Sequence, residues 1–560
     1  MRVGGPEREA PALTTQTSGT PAGTLAKRAY LVVLVAAVLF FCYWRQSRSA
    51  VLPSDGSGNV LQAWDMLHGN LLLHNWRVSD VSFYTTELPQ YMLIAALAGL
   101  GPWVVHAAAA MTYTLLVLLA AVLARAATPR SAARGGRPPR TPPRPPRPGG
   151  PIPPDPPWAR ALLAGGLLLA PQLSATGILL LSPDHTGTAV PLLVIWLLID
   201  RARPRAFVPV LTALLFTWAM VADSIVLLTG IVPLVLVCAL RACPELVRGG
   251  ERPAPRWYEL ALAGAAAVAG VAGFFAPRIM TALGGYHQSP VAADTAFGQL
   301  QHGAWVTFQA FLELFGANVF GAEPAIEVVF AAVHLAGAIT VACALGVAAR
   351  RFFRFGDLIV PVFAVAIVLN LGAYMISTHS RDLLGAREMA EVLPLGAVLA
   401  GRTLGDRVLA WIRAAKSWLV PVLSVLTAGY LAALGYGAAQ ASVPPANQPL
   451  ATWLVAHRLS SGLAGYWQAN STTVDSRREV AVSAVVQGAG SKLVPYQWET
   501  DDANYDPARH YANFVVADGP DRLAGMQAAA VLTFGRPARI YHADGYTIMV
   551  WNTNLLTKLG

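Results

Sequence analysis

Charged residues and cysteines are scarce in this chain. Only 13% of its 560 residues are Asp, Glu, Lys or Arg, whereas a typical soluble domain carries about 25%. The four cysteines show neither a disulfide framework nor a zinc-ligand spacing. Hydrophobic residues make up 55% of the chain and recur in long apolar runs. This composition indicates a polytopic α-helical membrane protein.

Nucleotide-binding motifs are also missing. The sequence has no Walker lysine loop, no G-x-G-x-x-G that opens a helix after a strand, and no H-E-x-x-H. A nucleotide-sugar enzyme would need a cytoplasmic α/β domain, and none of the predicted inward loops is long enough for one. The net charge of +10 resides largely in arginines of short loops between apolar runs. The positive-inside rule accounts for such arginines, so we expect no nucleic-acid partner.

The apolar runs predict about eleven transmembrane helices. Lys27 and Arg28 precede the first run and favour a cytoplasmic N-terminus, and later arginine clusters fall on the same predicted side. Two tight pairs of runs, around Asp184 and Asp223, leave an alternative in which either pair is re-entrant and the count falls by two. The predicted spans are 29–44, 103–124, 160–181, 186–199, 207–222, 225–240, 258–276, 326–348, 356–376, 389–401 and 417–437.

Segments of different composition surround or interrupt this predicted transmembrane domain, residues 29–437. Residues 1–28 are predicted to be a disordered cytoplasmic N-terminus. Residues 128–158 are rich in Pro and Arg and predict an extended cytoplasmic loop without a core. Residues 438–560 are more polar and predict a small extracytoplasmic α/β domain, with a hairpin turn at Asp544-Gly545.

Three motifs make the chain resemble the GT-C class of membrane glycosyltransferases, whose relatives use polyprenyl-phosphate sugars as donors. Near the start of the acidic outer loop, residues 48–102, lies SDGSGNVLQAWDMLHGN, which resembles the acid-led loop start of that class and has Asp55 at the position of the key carboxylate. ELPQYMLIAALAGLG resembles its proline-led interfacial helix, and GAREMAEVLPLGAVLAGRTL its late Arg-led span. The sequence departs from the pattern at Glu388, where an aromatic residue is frequent, and at Gly56, where a second acid is frequent.

The resemblance implies transfer of a sugar from a polyprenyl-phosphate donor to an extracytoplasmic glycan, lipid or protein. Such a reaction needs a carboxylate that takes the acceptor's proton, and a cation or metal that holds the departing phosphate. Asp55 follows the first span by about a dozen residues, near the surface where a lipid head group lies, and we predict that it is the general base. Alternatively, Asp55 caps a helix that begins near Gly58.

Two further acids of the outer loop are candidates for supporting roles. Asp80 and Glu87 could assist the reaction, and Asp80 could bind a divalent cation together with Asp55, because hard cations take several carboxylate oxygens. The sequence leaves open whether any cofactor is needed. The alternatives are that Asp80 is a solvated loop acid and that Glu87 caps the interfacial helix.

Other candidates lie at the predicted outer ends of later spans. Asp184 and His185 stand where two spans meet, and ionisable residues at such depth are costly and often functional, so we predict a donor-site or acceptor-site role. Arg381 and Arg387 run against the positive-inside tendency, and we predict that they bind the lipid phosphate. The alternative is that they only form ion pairs with Asp382 and Glu388.

Two other functions remain open at this stage. One is a membrane transporter or lipid flippase, which predicts charges or broken helices near the membrane centre. The other is a membrane-anchored binding protein that acts through its C-terminal outer domain. The Ala, Arg, Gly and Pro content suggests a GC-rich bacterial genome. We therefore expect an integral plasma membrane protein of a bacterium, with its active site and C-terminus outside the cytoplasm.

Overall fold

The computed structural model describes most of the chain outside its termini and several loops. The predicted N-terminal segment up to Thr20, the predicted loop 128–158 except Trp158, and Asp184 lie outside the described residues. The described ranges are 21–52, 54–125, 158–181, 185–243, 255–290, 297–320, 324–352, 357–414, 418–517 and 525–559.

The first three quarters of the chain are mainly helical. Two short strands interrupt the helices, β1 (Trp76–Val78) and β2 (His287–Gln288). The helices are α1 (Pro21–Ser47), α2 (Ser54–Leu67), α3 (Leu88–Ala98), α4 (Trp103–Ala124), α5 (Trp158–Leu167), α6 (Thr176–Leu179), α7 (Thr186–Arg201), α8 (Phe207–Ala222), α9 (Val232–Ala242), α10 (Arg256–Ala282), α11 (Leu300–Leu314), α12 (Ala325–Arg350), α13 (Ile359–Ile376), α14 (Val392–Arg413) and α15 (Leu419–Ala439).

The described helices make this an integral membrane protein. Six helical segments among them are long and apolar enough to cross a membrane, and the predicted total of eleven stays a prediction. Shorter apolar helices include α3, α8 and the segment Leu227–Ala242. The six are Ala26–Ser47, Trp103–Ala124, Arg256–Ala282, Ala325–Arg350, Ile359–Ile376 and Leu419–Ala439.

One predicted span, 160–181, is not a single helix. Helix α5 ends at Leu167, and the short α6 begins only at Thr176. Pro171 lies in the break and cannot donate a backbone hydrogen bond to a helix. Gln46 of α1 instead donates to the Pro171 carbonyl oxygen at 3.2 Å, so the freed backbone of this segment is bound by a neighbouring helix.

Helix α4 lies at the centre of the bundle, where α1, α5, α7 and α14 pack on it. Small side chains allow this close packing. A Cβ at Gly401 of α14 would crowd Ala124 of α4 and Ala164 of α5. In a membrane, where lipid is as apolar as the side chains, such close contact between helices is a main source of association.

The last part of the chain contains a six-stranded sheet in the order β5-β4-β3-β7-β9-β8. Strands β4, β3 and β7 are parallel, and the other neighbours are antiparallel. The hairpin predicted at Asp544-Gly545 joins β8 and β9. The elements are α16 (Gln448–Ala456), β3 (Ser461–Ala464), α17 (Tyr466–Asp475), β4 (Ala481–Gln487), β5 (Leu493–Pro495), β6 (Thr500–Asp501), β7 (Phe514–Ala517), α18 (Met526–Phe534), β8 (Arg539–Ala543) and β9 (Tyr546–Val550).

A small three-stranded sheet, in the order β2-β1-β6, joins this C-terminal region to two loops of the helical part. Arg77 of β1 pairs with His287 on one side and with Thr500 on the other. An ion pair of 2.7 Å between Arg77 and Asp502 reinforces the second pairing. The acidic outer loop and the C-terminal region are thus held against each other.

The two ends of helix α7 lie beside different groups of charged residues. Its first residues adjoin His185, and its last residues are Asp200 and Arg201. At the latter end Arg402 contacts Asp200 and Asp357, each at 2.8 Å. Because α7 has 16 residues, about 24 Å separates its end at Arg201 from His185.

Candidate functional site

A small cavity lies at the His185 end of the bundle, beneath the C-terminal region. It encloses about 50 Å³ and brings together the acidic outer loop, the start of α7, the helical turn Leu383–Met389 and a loop of the C-terminal region. Its lining residues are Asp55, Ser79, Asp80, Val81, Phe83, His185, Arg387, Glu388, Trp498 and Glu499.

Asp55 projects into this cavity from the first turn of α2. The helix begins at Ser54 and not near Gly58, so the alternative in which Asp55 caps a later start is wrong. The Tyr466 hydroxyl donates a hydrogen bond to Asp55 Oδ1, while Asp55 Oδ2 lies 4.0 Å from Nη1 of Arg387. The side chain of Asp55 is 29% exposed. One carboxylate oxygen is therefore held and the other faces a cation across an accessible space.

The two predicted lipid-phosphate arginines are placed differently. Arg387 lines the cavity, and its half-exposed side chain also lies 3.8 Å from Oε1 of Glu388, so the predicted local ion pair exists beside the contact with Asp55. Arg381 is exposed and does not line the cavity; its backbone carbonyl oxygen faces His302 Nε2 at 3.1 Å. Of these two side chains, only that of Arg387 is in position to bind a phosphate beside Asp55.

Asp80 also lines the cavity. Its backbone carbonyl oxygen accepts a hydrogen bond of 2.5 Å from the side chain of Gln288 in β2, which fixes this part of the outer loop. Burial, followed by the nearby Glu388 carboxylate, raises the pKa of Asp80 above its ordinary value. Asp80 is thus a partly buried member of the site and not a fully solvated loop acid.

Glu87 is fully buried and does not line the cavity. The Thr86 hydroxyl donates to its Oε2, and its Oε1 lies where a Cβ at position 187 would be, so a larger residue than Gly187 would force the Glu87 side chain to move. Glu87 stands at the N-cap position of α3 but makes no capping hydrogen bond. Burial raises its pKa to about 8.

His185 lies between two carboxylates. Its Nδ1 is 2.6 Å from Asp223 Oδ2, and its Nε2 is 2.8 Å from Glu388 Oε2. Burial alone lowers the pKa of His185, but the charges of Asp223 and Glu388 outweigh burial and raise it well above the ordinary value. Burial alone raises the pKa of Glu388, but the positive charge of His185 outweighs burial and lowers the pKa of Glu388 to about 2. His185 is therefore a buried imidazolium that ties α7 to the end of α8 and to the turn that carries Arg387.

Glu391 completes this buried cluster and gives one arrangement suited to a metal ion. Ligand atoms of His185, Asp223 and Glu391 lie within 4.8 Å of one another. Both nitrogens of His185 are engaged with carboxylates, however, so metal binding would require one of those bonds to break. Asp55 and Asp80 belong to no comparable group of three among the described residues, and a cation held by them stays a prediction.

Comparison with known proteins supports the resemblance drawn from the sequence. No protein-family model matches the chain, and a search of curated proteins finds no relative. A solved structure, ArnT from Cupriavidus metallidurans bound to undecaprenyl phosphate, aligns over 95% of this chain and 98% of its own, with a TM-score of 0.52 and 14% identity. The chain has the fold of ArnT. The GT-C-like architecture expected from the sequence is thereby confirmed at the level of the fold.

A second structure, of the same ArnT in the apo state, aligns over 96% of this chain and 99% of its own, with a TM-score of 0.43 and 15% identity.

Within this ArnT fold, residues that the sequence did not single out lie at the cavity or contact Asp55. Tyr466 reaches Asp55, and Glu499 lines the cavity, because the C-terminal region folds back over α2 across more than 400 positions of sequence. No local pattern announces such contacts. The sequence does offer a signal for Glu391, which directly precedes a long apolar run. A carboxylate in such a place is energetically costly and is often functional.

Proposed function

We propose that this protein is a membrane glycosyltransferase that transfers a sugar from a polyprenyl-phosphate donor to an extracytoplasmic glycan, lipid or protein. Asp55 is the general base, and Arg387 binds the donor phosphate. The observation that carries this proposal is the shared cavity of these two side chains, 4.0 Å apart, within a fold like that of ArnT. That structure of ArnT holds undecaprenyl phosphate, which is itself a polyprenyl phosphate.

The chemistry follows from the two charges. An acceptor hydroxyl placed beside Asp55 Oδ2 loses its proton to that oxygen while the acceptor oxygen bonds to the sugar C1. The bond between C1 and the phosphate oxygen breaks, and its electron pair stays on the phosphate. The Arg387 guanidinium stabilises the negative charge that develops there, since its planar donors match phosphate oxygens. His185, paired with Glu388, fixes the turn that holds Arg387.

Two sets of charges support the proposed orientation. The arginine-rich end of the bundle, which includes Arg402 and Arg201, lies at the opposite end of α7 from the cavity. Positively charged helix ends favour the cytoplasmic side. We therefore propose that the cavity and the C-terminal region face outward from the plasma membrane of a bacterium, where nucleotides are scarce and a lipid-borne donor is available.

The proposal is tested by comparing cells with and without the protein. Mass spectrometry of extracted lipids and of envelope glycans measures both the donor and the product. Accumulation of one polyprenyl-phosphate sugar, together with loss of that sugar from one envelope component, is the expected result. Unchanged lipid-linked sugars and unchanged glycans would contradict the proposal.

A further inference from the structure

An open apolar groove lies on the surface of the bundle, between helix α10 and the segment Leu227–Ala242. It encloses about 410 Å³ and is lined by apolar residues and one glycine within 227–236 and 267–275. Two of these residues, Val271 and Phe274, are 61% and 62% exposed. Because α10 is long and apolar enough to cross a membrane, side chains so exposed on it face lipid and not water. We call this feature the α10 groove.

The α10 groove has nearly the length of one lipid leaflet. Along α10 it extends from Ala267 to Phe275, which is about 12 Å of helix at 1.5 Å per residue. The hydrocarbon layer of one leaflet is about 15 Å deep, half of a bilayer core of about 30 Å. A single acyl chain that lies along α10 therefore matches the groove in length and in polarity.

One end of the α10 groove lies on the same side of the bundle as the cavity at Asp55. Leu227 lines the groove and follows closely after Asp223, which contacts the cavity residue His185 at 2.6 Å. Helix α10 ends at Ala282, and the chain then enters β2, which pairs with β1 of the acidic outer loop. The groove thus opens toward the membrane surface on which the cavity lies.

Arg278 stands at this end of the groove. It follows the last lining residue, Phe275, by one turn of α10, where the head groups of the same leaflet begin. The central carbon of its guanidinium lies 4.9 Å from the centroid of the Phe274 ring and 5.8 Å from that of Phe275. Both rings line the groove. Cation–π contacts therefore hold the guanidinium at the rim of the apolar surface.

Arg278 has no charge partner in the described part of the chain. Its side chain is exposed, and its Nη1 donates a long hydrogen bond of 3.5 Å to the Phe274 carbonyl oxygen of its own helix. A guanidinium has five N–H donors in a planar fork, a geometry that matches phosphate oxygens. Arginines near the hydrocarbon are costly without a counter-ion. The charge and the adjoining groove are together complementary to an anion that carries an apolar chain.

We propose that the α10 groove binds one anionic phospholipid, with an acyl chain in the groove and the phosphate on Arg278. This lipid is a structural partner and not a substrate. The polyprenyl-phosphate donor also combines an apolar chain with a phosphate, but its phosphate is assigned to Arg387 in the cavity, which Arg278 does not line. The site extends the account beyond sugar transfer and does not depend on it.

Native mass spectrometry of the full-length protein in detergent measures the bound lipid directly. The protein is titrated with phosphatidylglycerol and with phosphatidylcholine of identical acyl chains, so that the two lipids differ in head-group charge. One phosphatidylglycerol is expected to bind about tenfold more tightly than phosphatidylcholine. Glycerol phosphate, which has the anionic head without the chains, should not bind at the same concentrations.

Two variants separate the head group from the chain. Arg278→Gln removes the charge, so it should abolish the preference for phosphatidylglycerol and leave the binding of phosphatidylcholine unchanged. Gly270→Leu places a branched side chain in the groove, where a Cβ already meets Ile231 at 3.5 Å and Leu227 at 3.6 Å. This variant is expected to weaken the binding of both lipids about tenfold, because the chain loses its place.

Each variant has a matched control. Arg350 is another exposed arginine at a helix end, but it lies on α12, and the described lining residues of the groove lie on other segments. Gly264 is another glycine of α10 that does not line the groove, and a Cβ there meets no described atom within 4 Å. Arg350→Gln and Gly264→Leu should both bind phosphatidylglycerol as the wild type does.

The position of the bound lipid is tested by photo-crosslinking. Phosphatidylglycerol with a photoactivatable group in its acyl chain is expected to label residues within 227–236 or 267–275. Labelling elsewhere, equal binding of the two lipids by wild type, or an undiminished preference in Arg278→Gln overturns the proposal. Loss of binding in either control variant also overturns it.

A competition experiment distinguishes the phospholipid from the donor. Undecaprenyl phosphate is added at a concentration equal to that of phosphatidylglycerol, and retention of phosphatidylglycerol by the wild type supports the proposal. Displacement that disappears in Arg278→Gln would assign the groove to the donor and overturn the phospholipid site. None of these measurements requires sugar transfer, so failure of the proposed function and failure of this site are seen separately.

Discussion

Asp55 Oδ2 and Arg387 Nη1 face each other at 4.0 Å across one cavity, although 332 positions separate the two residues in sequence (387 − 55). The guanidinium is half exposed and the carboxylate is 29% exposed, so both side chains remain accessible from the cavity beside their ion-pair contacts. A pair that is close but open can admit a ligand between its members. This arrangement places the proposed proton acceptor next to the proposed phosphate-binding cation.

Replacement of Arg387 tests the phosphate-binding role. Arg387→Ala removes the guanidinium from the cavity and is expected to lower kcat/KM for the lipid donor about 100-fold, and Arg387→Lys should restore only part of it, since a point charge lacks the planar fork. Arg381→Ala is the control, because Arg381 does not line the cavity, and it should stay near the wild-type value. Equal losses in the two alanine variants, measured by initial rates, would contradict the assignment.

The buried imidazolium predicts a coupled effect on stability. His185→Ala removes the cation between Asp223 and Glu388 and leaves a buried carboxylate without its charge partner. We expect a loss of about 3 kcal/mol or more in the free energy of unfolding, of which a second change, Asp223→Asn, recovers part. Denaturant unfolding in detergent measures both. A double variant that is less stable than the sum of the single effects would show that the cluster is not held by this charge pairing.

The pKa of Glu87 predicts a dependence of stability on pH. Its folded-state pKa is about 8, against 4.5 for the exposed group, so between these values the folded protein binds a proton that the unfolded chain releases. The contribution of Glu87 to stability is therefore expected to fall as pH rises from about 4.5 to 8. Glu87→Gln removes this proton and should flatten the decline in Tm over that window. Parallel curves for wild type and variant would show that Glu87 does not titrate in this way.

The contact between Gly187 and Glu87 predicts a steric effect. A Cβ at position 187 would overlap the Glu87 carboxyl group, which is fully buried. Gly187→Ala is expected to lower the free energy of unfolding by about 2 kcal/mol or more. Gly166→Ala in α5 is the control, because a Cβ there meets no neighbour, and it should be neutral or slightly stabilising. Similar Tm values for the two variants would contradict the close contact.

Local patterns in the sequence were enough to indicate part of this site. Asp55 lies near the start of the acidic loop that follows the first span, and Arg387 runs against the positive-inside tendency. His185 is an ionisable residue at the start of a span. All three line the cavity. Each of these residues could be recognised from the sequence because an ionisable side chain beside an apolar segment is energetically costly and therefore uncommon.

The remainder of the site depends on tertiary contacts that have no local signature. Tyr466 reaches Asp55, and Glu499 reaches the cavity, because the strand pair of Trp76 and Asp501 docks the C-terminal region on the outer loop. Neither residue differs in its sequence context from many other polar residues of a mixed domain. The break between α5 and α6 does have a local signature, because Pro171 disfavours a continuous helix. The apolar residues on both sides nevertheless led to the prediction of a single span.

The central claim is that Asp55 accepts the acceptor's proton. The most direct measurement is the single-turnover rate of sugar transfer from the polyprenyl-phosphate donor by wild type and Asp55→Asn, at equal protein levels and with the donor bound to both. Asn keeps the shape of the side chain but has no basic oxygen, so the rate should fall about 100-fold or more while donor affinity changes little. Transfer by Asp55→Asn at the wild-type rate would contradict the account.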